Sequence, residues 1–239
     1  MNIEKLKTDP RMPKHIGLII DGNGRWAKKR GLARSVGHKH GFDNLENHIQ
    51  FVQELGIKNL SIYCFSKQNW NRPQAEVDYL MALFDKMLDK FKAEYLNKDI
   101  RVIISGDMED EQLPLIVRQK AKEIMELTKH KTGFILNPCI NYGGREEIVN
   151  AVNKILQSGE TNIDEKKFEK YLYTADMLPL DFVIRASGEQ RTSNFLPWQS
   201  TYSEWCFPKP LWPSFSKNDL IKALKNFMKR NRRFGAIKE

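Results

Sequence analysis

Cysteine is scarce in this chain: Cys64, Cys139 and Cys206 are the three in 239 residues, and no Cys-x-x-Cys pair exists. Their wide separation and strand-like surroundings exclude a disulfide framework and a zinc site, and predict buried, reduced thiols. No apolar run approaches the roughly 20 residues that a helix needs to cross a bilayer. The segment Met1 to Lys14 is polar, without the apolar stretch of a signal peptide, so a cytoplasmic protein is expected. Internal repeats, low-complexity tracts and long linkers are also missing. One domain over 1–239 is therefore expected, with a polar N-terminal segment at 1–14 and a C-terminal helix and tail at 216–239. The dinucleotide fingerprint is incomplete too, because Ala27 stands where Gly-x-Gly-x-x-Gly needs its third glycine.

What the chain does have is positive charge and apolar periodicity. Lys and Arg number 39 against 30 Asp and Glu, a net charge of +9, which favours anionic partners: nucleic acid, an acidic membrane surface or a phosphorylated substrate. Part of this excess lies in Lys225, Lys229, Arg230, Arg232 and Arg233, where a solvated helix face is the plain alternative. Apolar, β-rich runs at 15–20, 59–65, 101–105, 134–140, 181–184 and 203–207 alternate with helical patterns near 41–55, 74–97, 111–129, 144–157, 164–172 and 216–231. Such alternation predicts a single α/β domain with a mostly parallel six-stranded sheet flanked by helices. In the 74–97 helix, Val77, Leu80, Met81, Phe84, Met87, Leu88, Phe91 and Tyr95 form one apolar stripe. That stripe suits packing on the sheet, or the wall of an apolar tunnel beside it.

Three motifs stand where strands end. His15-Ile16-Gly17-Leu18-Ile19-Ile20 delivers Asp21-Gly22-Asn23-Gly24-Arg25-Trp26 to the ligand-binding edge of a parallel sheet. An acid, bare backbone N–H groups and a guanidinium suit a metal-bound phosphate, although Asp21 could also serve as a helix N-cap. Ser66-Lys67-Gln68-Asn69-Trp70-Asn71-Arg72-Pro73 can present a hydroxyl, an amide and a guanidinium, with Trp70 explicable by packing alone. Arg185-Ala186-Ser187-Gly188-Glu189-Gln190-Arg191-Thr192-Ser193 reads as a diphosphate clamp in which Glu189 orients an arginine. With Arg34 and His38 the candidate cations outnumber what one diphosphate needs, and the acids Asp21 and Glu204 could share the cleft through a bridging Mg²⁺. A phosphate site at strand C-terminal ends and a two-substrate reaction releasing diphosphate are the expectations.

At these residues the chain resembles the cis-prenyltransferases, the family of undecaprenyl diphosphate synthases. The matching pieces are His15 to Trp26, Gly37-His38-Lys39, Phe65-Ser66 with Asn69 to Pro73, Asn141 to Arg145, Arg185 to Phe195, Trp198-Gln199, Tyr202-Ser203-Glu204 and Arg232 to Gly235. The resemblance implies a Mg²⁺-dependent homodimer that adds isopentenyl diphosphate repeatedly to farnesyl diphosphate. The expected product is undecaprenyl diphosphate, precursor of the carrier lipid for bacterial cell-wall polysaccharide. It implies that Asp21 holds Mg²⁺ and that Gly22, Asn23, Gly24, Arg25, Arg34 and His38 bind the allylic diphosphate, with Trp26 beside it. Ser66, Lys67, Gln68, Trp70 and Arg72 would help place the substrates, and Asn69 matches the residue linked to proton removal. Arg185, Arg191, Thr192 and Ser193 would bind isopentenyl diphosphate, Glu204 would be a second acid at the metal, and Arg233 and Gly235 would reach a partner subunit's site.

The sequence departs from the family pattern in places. Lys67-Gln68 replaces an acid-containing pair and adds positive charge beside the substrate loop. Pro138 interrupts a strand, which predicts a bulge or a sheet edge there, and Pro197 stands where leucine is usual. A dehalogenase-like phosphatase is disfavoured because Asn23 occupies the position of its second aspartate. A nucleic-acid binder is disfavoured because the basic C-terminal segment has few stacking aromatics beyond Phe227 and Phe234. Peripheral contact with the inner membrane surface is a further expectation, drawn from the basic charge and a lipid product.

Overall fold

The computed structural model describes residues 3–233. Six strands, β1 (His15–Ile19), β2 (Asn59–Ser66), β3 (Ile100–Val102), β4 (Phe134–Tyr142), β5 (Phe182–Arg185) and β6 (Glu204–Cys206), form one sheet of order β3-β4-β2-β1-β5-β6. Every pairing is parallel. The helices are α1 (Ile3–Lys7), α2 (Asn23–Lys28), α3 (Arg34–Glu54), α4 (Gln74–Tyr95), α5 (Leu115–Thr128), α6 (Gly144–Ser158), α7 (Glu165–Glu169) and α8 (Lys217–Phe227), with 3₁₀ turns at Lys67–Asn71 and Trp212–Ser214. The expected fold class is the one observed. Parallel strands covered on both faces must be apolar throughout, and β1 is buried at all its positions. The chain winds outward from β1 to β2, crosses to β3 and β4, then returns to place β5 on the other side of β1. Open sheets bind ligands at the strand C-terminal ends where the winding reverses, and here that is the β1–β5 crevice.

Several boundaries differ from the sequence expectation for identifiable reasons. The helix expected at 41–55 starts at Arg34, because Gly37 and Gly41 are there for close packing and not as breakers. A Cβ at Gly37 would lie 2.1 Å from the Asn23 carbonyl oxygen, and one at Gly41 would lie 2.1 Å from Asn23 Oδ1. The short helix α2 occupies a segment read as a bare phosphate loop. Its N-cap is Gly22 with φ 105°, so Asp21 is not the cap and its carboxylate is available for other work. The helix expected at 111–129 begins after Pro114, at Leu115. The last helix is capped by Ser216, whose Oγ accepts from the Asp219 N–H.

Pro138 lies in an interior strand, not at an edge. Register shifts do occur in the β2–β4 pairing, but beyond it, between Tyr63 and Ser66, where Asn141 takes φ 52°. The effect of the proline falls on β3. Its carbonyl accepts from the Ser105 N–H at 3.1 Å, so its missing N–H is on the same side. The ladder therefore lapses after Val102 and resumes only at the isolated Ser105–Cys139 bridge. That is why the strand expected at 101–105 stops short.

A row of polar side chains runs across the buried sheet. His15 Nδ1 lies 2.7 Å from the Leu178 carbonyl, so Nδ1 carries the proton; Nε2, 2.8 Å from Ser61 Oγ, then accepts the hydroxyl proton. Asn137 Nδ2 donates to the same Ser61 Oγ at 2.9 Å. Burial pulls the His15 pKa down to about 4, against the Leu178 carbonyl and Asp181, which raise it. An unfolded imidazole titrates near 6.5, so between those values the unfolded chain binds more protons and stability falls as the pH drops. The whole difference is about 3 kcal/mol. Urea unfolding from pH 7 to pH 4 is expected to lose less stability in His15→Gln than in the wild type; parallel losses would remove His15 as the source.

Candidate active site

Asp21 leaves β1 in a held backbone: its N–H donates to the Ile19 carbonyl and its carbonyl accepts from the Trp212 N–H, each at 3.0 Å. Gly22 is required next, because its φ is positive and a Cβ would lie 2.8 Å from Leu211 Cδ2. Register places Ile19 opposite Arg185, the last residue of β5. Arg185 is 4% exposed, and its guanidinium donates from Nη2 to Asp21 Oδ2 at 2.9 Å. Its Nη1 donates to Ser193 Oγ and to the Arg191 carbonyl, each at 2.7 Å. Asp21 Oδ2 also accepts from Ser187 Oγ at 3.1 Å and lies 3.1 Å from Arg25 Nη2. Burial opposes ionisation of Asp21, but Arg185 and Arg25 outweigh it and hold the carboxyl below its usual range. The loop that supplies these groups is strained: Ser187, Ser193, Asn194 and Leu196 all have positive φ.

Glu189 accepts from Arg25 Nη1 on one oxygen and from Arg191 Nη1 on the other, both at 2.6 Å. It orients two arginines where one was expected. Ser187 also accepts from Arg25 Nη2 at 2.9 Å, so it links the two motifs.

A second charge cluster faces the same cleft. Glu76, in the first turn of α4, accepts from Arg34 Nε at 2.8 Å and from Arg72 Nη1 at 3.2 Å, and lies 3.0 Å from His38 Nε2. Its side chain is 8% exposed. Burial works against its charge, yet Arg34, His38 and Arg72 hold its pKa down to about 2. Sequence reasoning singled out the three cations and missed the acid that gathers them. Sequence spacing alone did not reveal it: Glu76 follows Arg72 by four residues, but Arg72 is extended and, with Pro73, precedes α4, so the pairing is not a helical one. Gly24 lies under this cluster, and a Cβ on it would sit 2.7 Å from Arg34 Cζ.

The cleft between these clusters has a volume of about 260 Å³. Asp21 to Arg25, Arg34, His38, Ser66, Asn69, Arg72, Arg185 and Ser193 line its polar part. Phe42 and Leu45 of α3, Cys64 and Phe65 of β2, and Leu80, Leu83, Phe84 and Met87 of α4 line its apolar part. The α4 stripe thus belongs to the core and, in part, to the cleft wall. All of it is buried in the core, and Leu80, Phe84 and Met87 also face the cleft. Tyr63, absent from the expectations, lines the cleft and donates its hydroxyl to the Ser193 carbonyl at 3.2 Å.

Other expected residues lie elsewhere. Trp26 turns away, donating Nε1 to Ser214 Oγ at 2.7 Å and carrying the Arg30 guanidinium 4.0 Å above its ring. Trp70 donates Nε1 to Asn141 Oδ1 at 2.8 Å. Arg191 and Thr192 are exposed and do not line the cleft. Lys67 points away from the cleft to Asp107 and Asp110, and Gln68 donates to Glu146. Their added positive charge is therefore paired off outside the site. Glu204 does not join Asp21 in this chain. It pairs with Phe182 in register, three positions before Arg185, and accepts from Arg230 Nη1 at 2.6 Å. Arg233 is exposed at the end of the described chain, and Gly235 lies outside the described residues.

A family model described as putative undecaprenyl diphosphate synthase matches residues 19–235. The chain belongs to the cis-prenyltransferase family. An isoprenyl transferase of Fusobacterium nucleatum is 45% identical over 230 residues, covering 96% of this chain and 99% of the relative. A ditrans,polycis-undecaprenyl-diphosphate synthase of Micrococcus luteus, (2E,6E)-farnesyl-diphosphate specific, is 42% identical and covers 95% of this chain and 93% of its own. Among solved structures, lavandulyl diphosphate synthase from Lavandula x intermedia in complex with dimethylallyl diphosphate superposes with a TM-score of 0.89 at 36% identity, covering 95% of this chain and 100% of its own. This prenyltransferase therefore carries its family's fold along its length, and the clusters at Asp21 and Glu76 belong to an enzyme that transfers prenyl groups.

The Glu76 cluster can be tested by titration. Burial holds the His38 imidazole below its ordinary pKa, with Glu76 opposing and Arg72 and Arg34 adding to the fall. In Glu76→Gln the opposing charge is gone, and the His38 pKa read by NMR is expected to fall further. An unchanged or raised value would remove Glu76 as the centre of the cluster.

Proposed function

We propose that this enzyme condenses isopentenyl diphosphate onto farnesyl diphosphate, repeatedly and with Mg²⁺, to give a long-chain Z,E-polyprenyl diphosphate, undecaprenyl diphosphate. Its place would be the supply of carrier lipid for bacterial cell-wall polysaccharide. One observation carries the reading: Asp21, tied to Arg185 and Arg25, stands at the mouth of a cleft whose other part is apolar. A diphosphate head with a long hydrocarbon tail has that division of chemistry.

The donor set fits a metal shared with substrate. Among the described residues no group of three or more His, Cys, Asp or Glu is gathered for a metal. Asp21, however, takes the hydrogen bonds of Arg185 and Ser187 on Oδ2 and faces the cleft. Mg²⁺ commonly takes one or two carboxylates and completes its shell with phosphate oxygens and water. When bound, it would neutralise charge developing on the departing diphosphate.

Arg25, Arg34, His38 and the first N–H groups of α2 bind and orient the allylic diphosphate in this reading, each placed before the reaction begins. Arg185 and Ser193, joined by the exposed Arg191, take the diphosphate of isopentenyl diphosphate. Asn69 accepts at Oδ1 from the Ser66 N–H at 3.0 Å, which fixes its amide at the cleft, where it assists proton removal. The apolar walls exclude water from the allylic cation and shelter the growing chain, each further Å² buried contributing about 25 cal/mol. The active unit is proposed to be a homodimer. The exposed α6 stripe Val149, Val152 and Leu156 offers apolar area for such a contact. No helix among the described residues is long and apolar enough to cross a membrane. Peripheral contact of a cytoplasmic enzyme with an anionic membrane surface rests on the net charge of +9.

The deciding assay incubates the protein with farnesyl diphosphate, radiolabelled isopentenyl diphosphate and Mg²⁺, resolving products by chain length. A polyprenyl ladder is expected, abolished by EDTA and reduced at least about a hundredfold in rate in Asp21→Ala. No incorporation with any of several allylic primers, from folded protein, would overturn the reading. Light scattering is expected to give a dimer mass that falls to the monomer in Leu156→Glu. Co-sedimentation with anionic vesicles at low salt tests the membrane contact, and no binding would end it.

A further inference from the structure

The 3₁₀ turn Lys67–Asn71 carries Asn69 to the cleft and leads to Arg72, yet none of its residues is buried. A single turn of this kind has poor intrinsic stability. Trp70 packs edge-on against Phe65, ring centroids 5.0 Å apart, and the rest of the hold is a set of polar ties. Inside the turn, Ser66 and Asn69 form a capping box. Outside it, Lys67 Nζ lies 3.1 Å from Asp107 Oδ2 and 3.4 Å from Asp110 Oδ2. Trp70 reaches the same place by another route: its Nε1 donates to Asn141 Oδ1 at 2.8 Å, and Asn141 Nδ2 donates to Asp110 Oδ2 and to the Asp107 carbonyl, each at 3.0 Å. Both ties converge on the segment just past β3, and Asn141 takes up its position through the positive φ at the β4 irregularity.

We propose that Lys67 is a positioning residue: through its ion pairs with Asp107 and Asp110 it clasps the 67–71 turn to the segment after β3, and so places Asn69 and Arg72 for substrate. The inference deepens the functional reading given above and rests on it for the identity of the substrate. The pair is half-buried, with side-chain exposures of 28% for Lys67, 38% for Asp107 and 18% for Asp110, so it is neither a desolvated core contact nor a fully screened one. Burial would lower the Lys67 pKa, but Asp107 and Asp110 raise it above its ordinary value, so the clasp keeps its charge at physiological pH. Asp21, Arg25 and Arg185 are touched by none of these groups. Removing the clasp should therefore weaken substrate placement and leave the chemistry at Asp21 intact.

The test compares wild type, Lys67→Met, Lys67→Arg and the charge-exchanged pair Lys67→Asp with Asp107→Lys. Hydrogen exchange of the peptide spanning 67–72 is read without substrate, and KM and kcat for isopentenyl diphosphate are read with it. In Lys67→Met, exchange of that peptide and KM are each expected to rise about threefold, the size an ion pair of this exposure carries, and kcat is expected to fall by no more than about the same factor, because Asn69 shifts with the turn. Lys67→Arg should restore both, and the exchanged pair should restore them in part, since Asp110 then faces a like charge at position 67. Raising the ionic strength to roughly 0.5 M should raise KM in the wild type more than in Lys67→Met, because only the wild type has the pair to screen. Unchanged exchange in Lys67→Met overturns the clasp whatever the activity. An unchanged KM, or loss of protection throughout the chain, also overturns it. Faster exchange at 67–72 in a protein whose wild type transfers no prenyl group would support the clasp as a structural tie and overturn the functional reading instead.

Discussion

A buried arginine beside a half-buried aspartate is the contact on which this enzyme is organised. Arg185 is almost wholly removed from water, and a charge in that position is tolerable only with a partner. Asp21 supplies the partner at Nη2, and Ser193 Oγ and the Arg191 carbonyl take Nη1, while the buried Nε has no hydrogen-bond partner among the described residues. That requirement propagates in two directions. Toward the sheet, it needs β1 and β5 side by side with Ile19 opposite Arg185, which is what the strand order provides. Toward the surface, it bends the 187–196 loop back over the arginine, with positive φ at non-glycine residues. Strain of this kind persists only where surrounding contacts over-determine it.

The two charge clusters are built on different principles. At Asp21 one acid is shared by two arginines and a serine hydroxyl, with a second acid, Glu189, bracing the outer arginines. At Glu76 one acid holds Arg34, Arg72 and His38 together from within a helix. In each case the cations are aligned without their charge being cancelled. The cleft they line keeps an excess of positive charge, and positive walls around a low-dielectric interior draw anions in. The apolar walls of α3, β2 and α4 begin where those charges end.

The sequence declared the fold class plainly, because buried parallel strands are long apolar runs and the helices between them have clear periodicity. It was a poorer guide where glycine and proline act through tertiary contacts. Gly37 and Gly41 look like breakers and are close-packing positions inside α3. Pro138 looks like an edge residue and sits in an interior strand. The site showed the same division. Asp21, Arg25 and Arg185 were legible from their places at strand ends, and the structure brings them within hydrogen-bonding or ion-pairing reach. Glu76 was not, because it reads as an ordinary first-turn acid until Arg34 and His38 are folded against it. Lys67, Gln68 and Glu204 were expected at the site from their places in the motifs. Adjacency to a motif in the chain did not decide direction, and each turns to a partner outside the cleft.

The shortened β3 has a further consequence. The sheet ends on one side at β3 and on the other at β6, each of three residues. An exposed strand edge is a template on which another chain can add, and the hazard grows with its length. By removing one donor from the neighbouring strand, Pro138 trims β3 to less than two repeats of the pleat. At β3 the margin is covered as well as short, because α5 takes its outward donors: the Val102 N–H donates to Thr128 Oγ1 at 3.0 Å and the Ile104 N–H reaches Met125 Sδ at 3.3 Å, so little backbone is left there on which another copy could add.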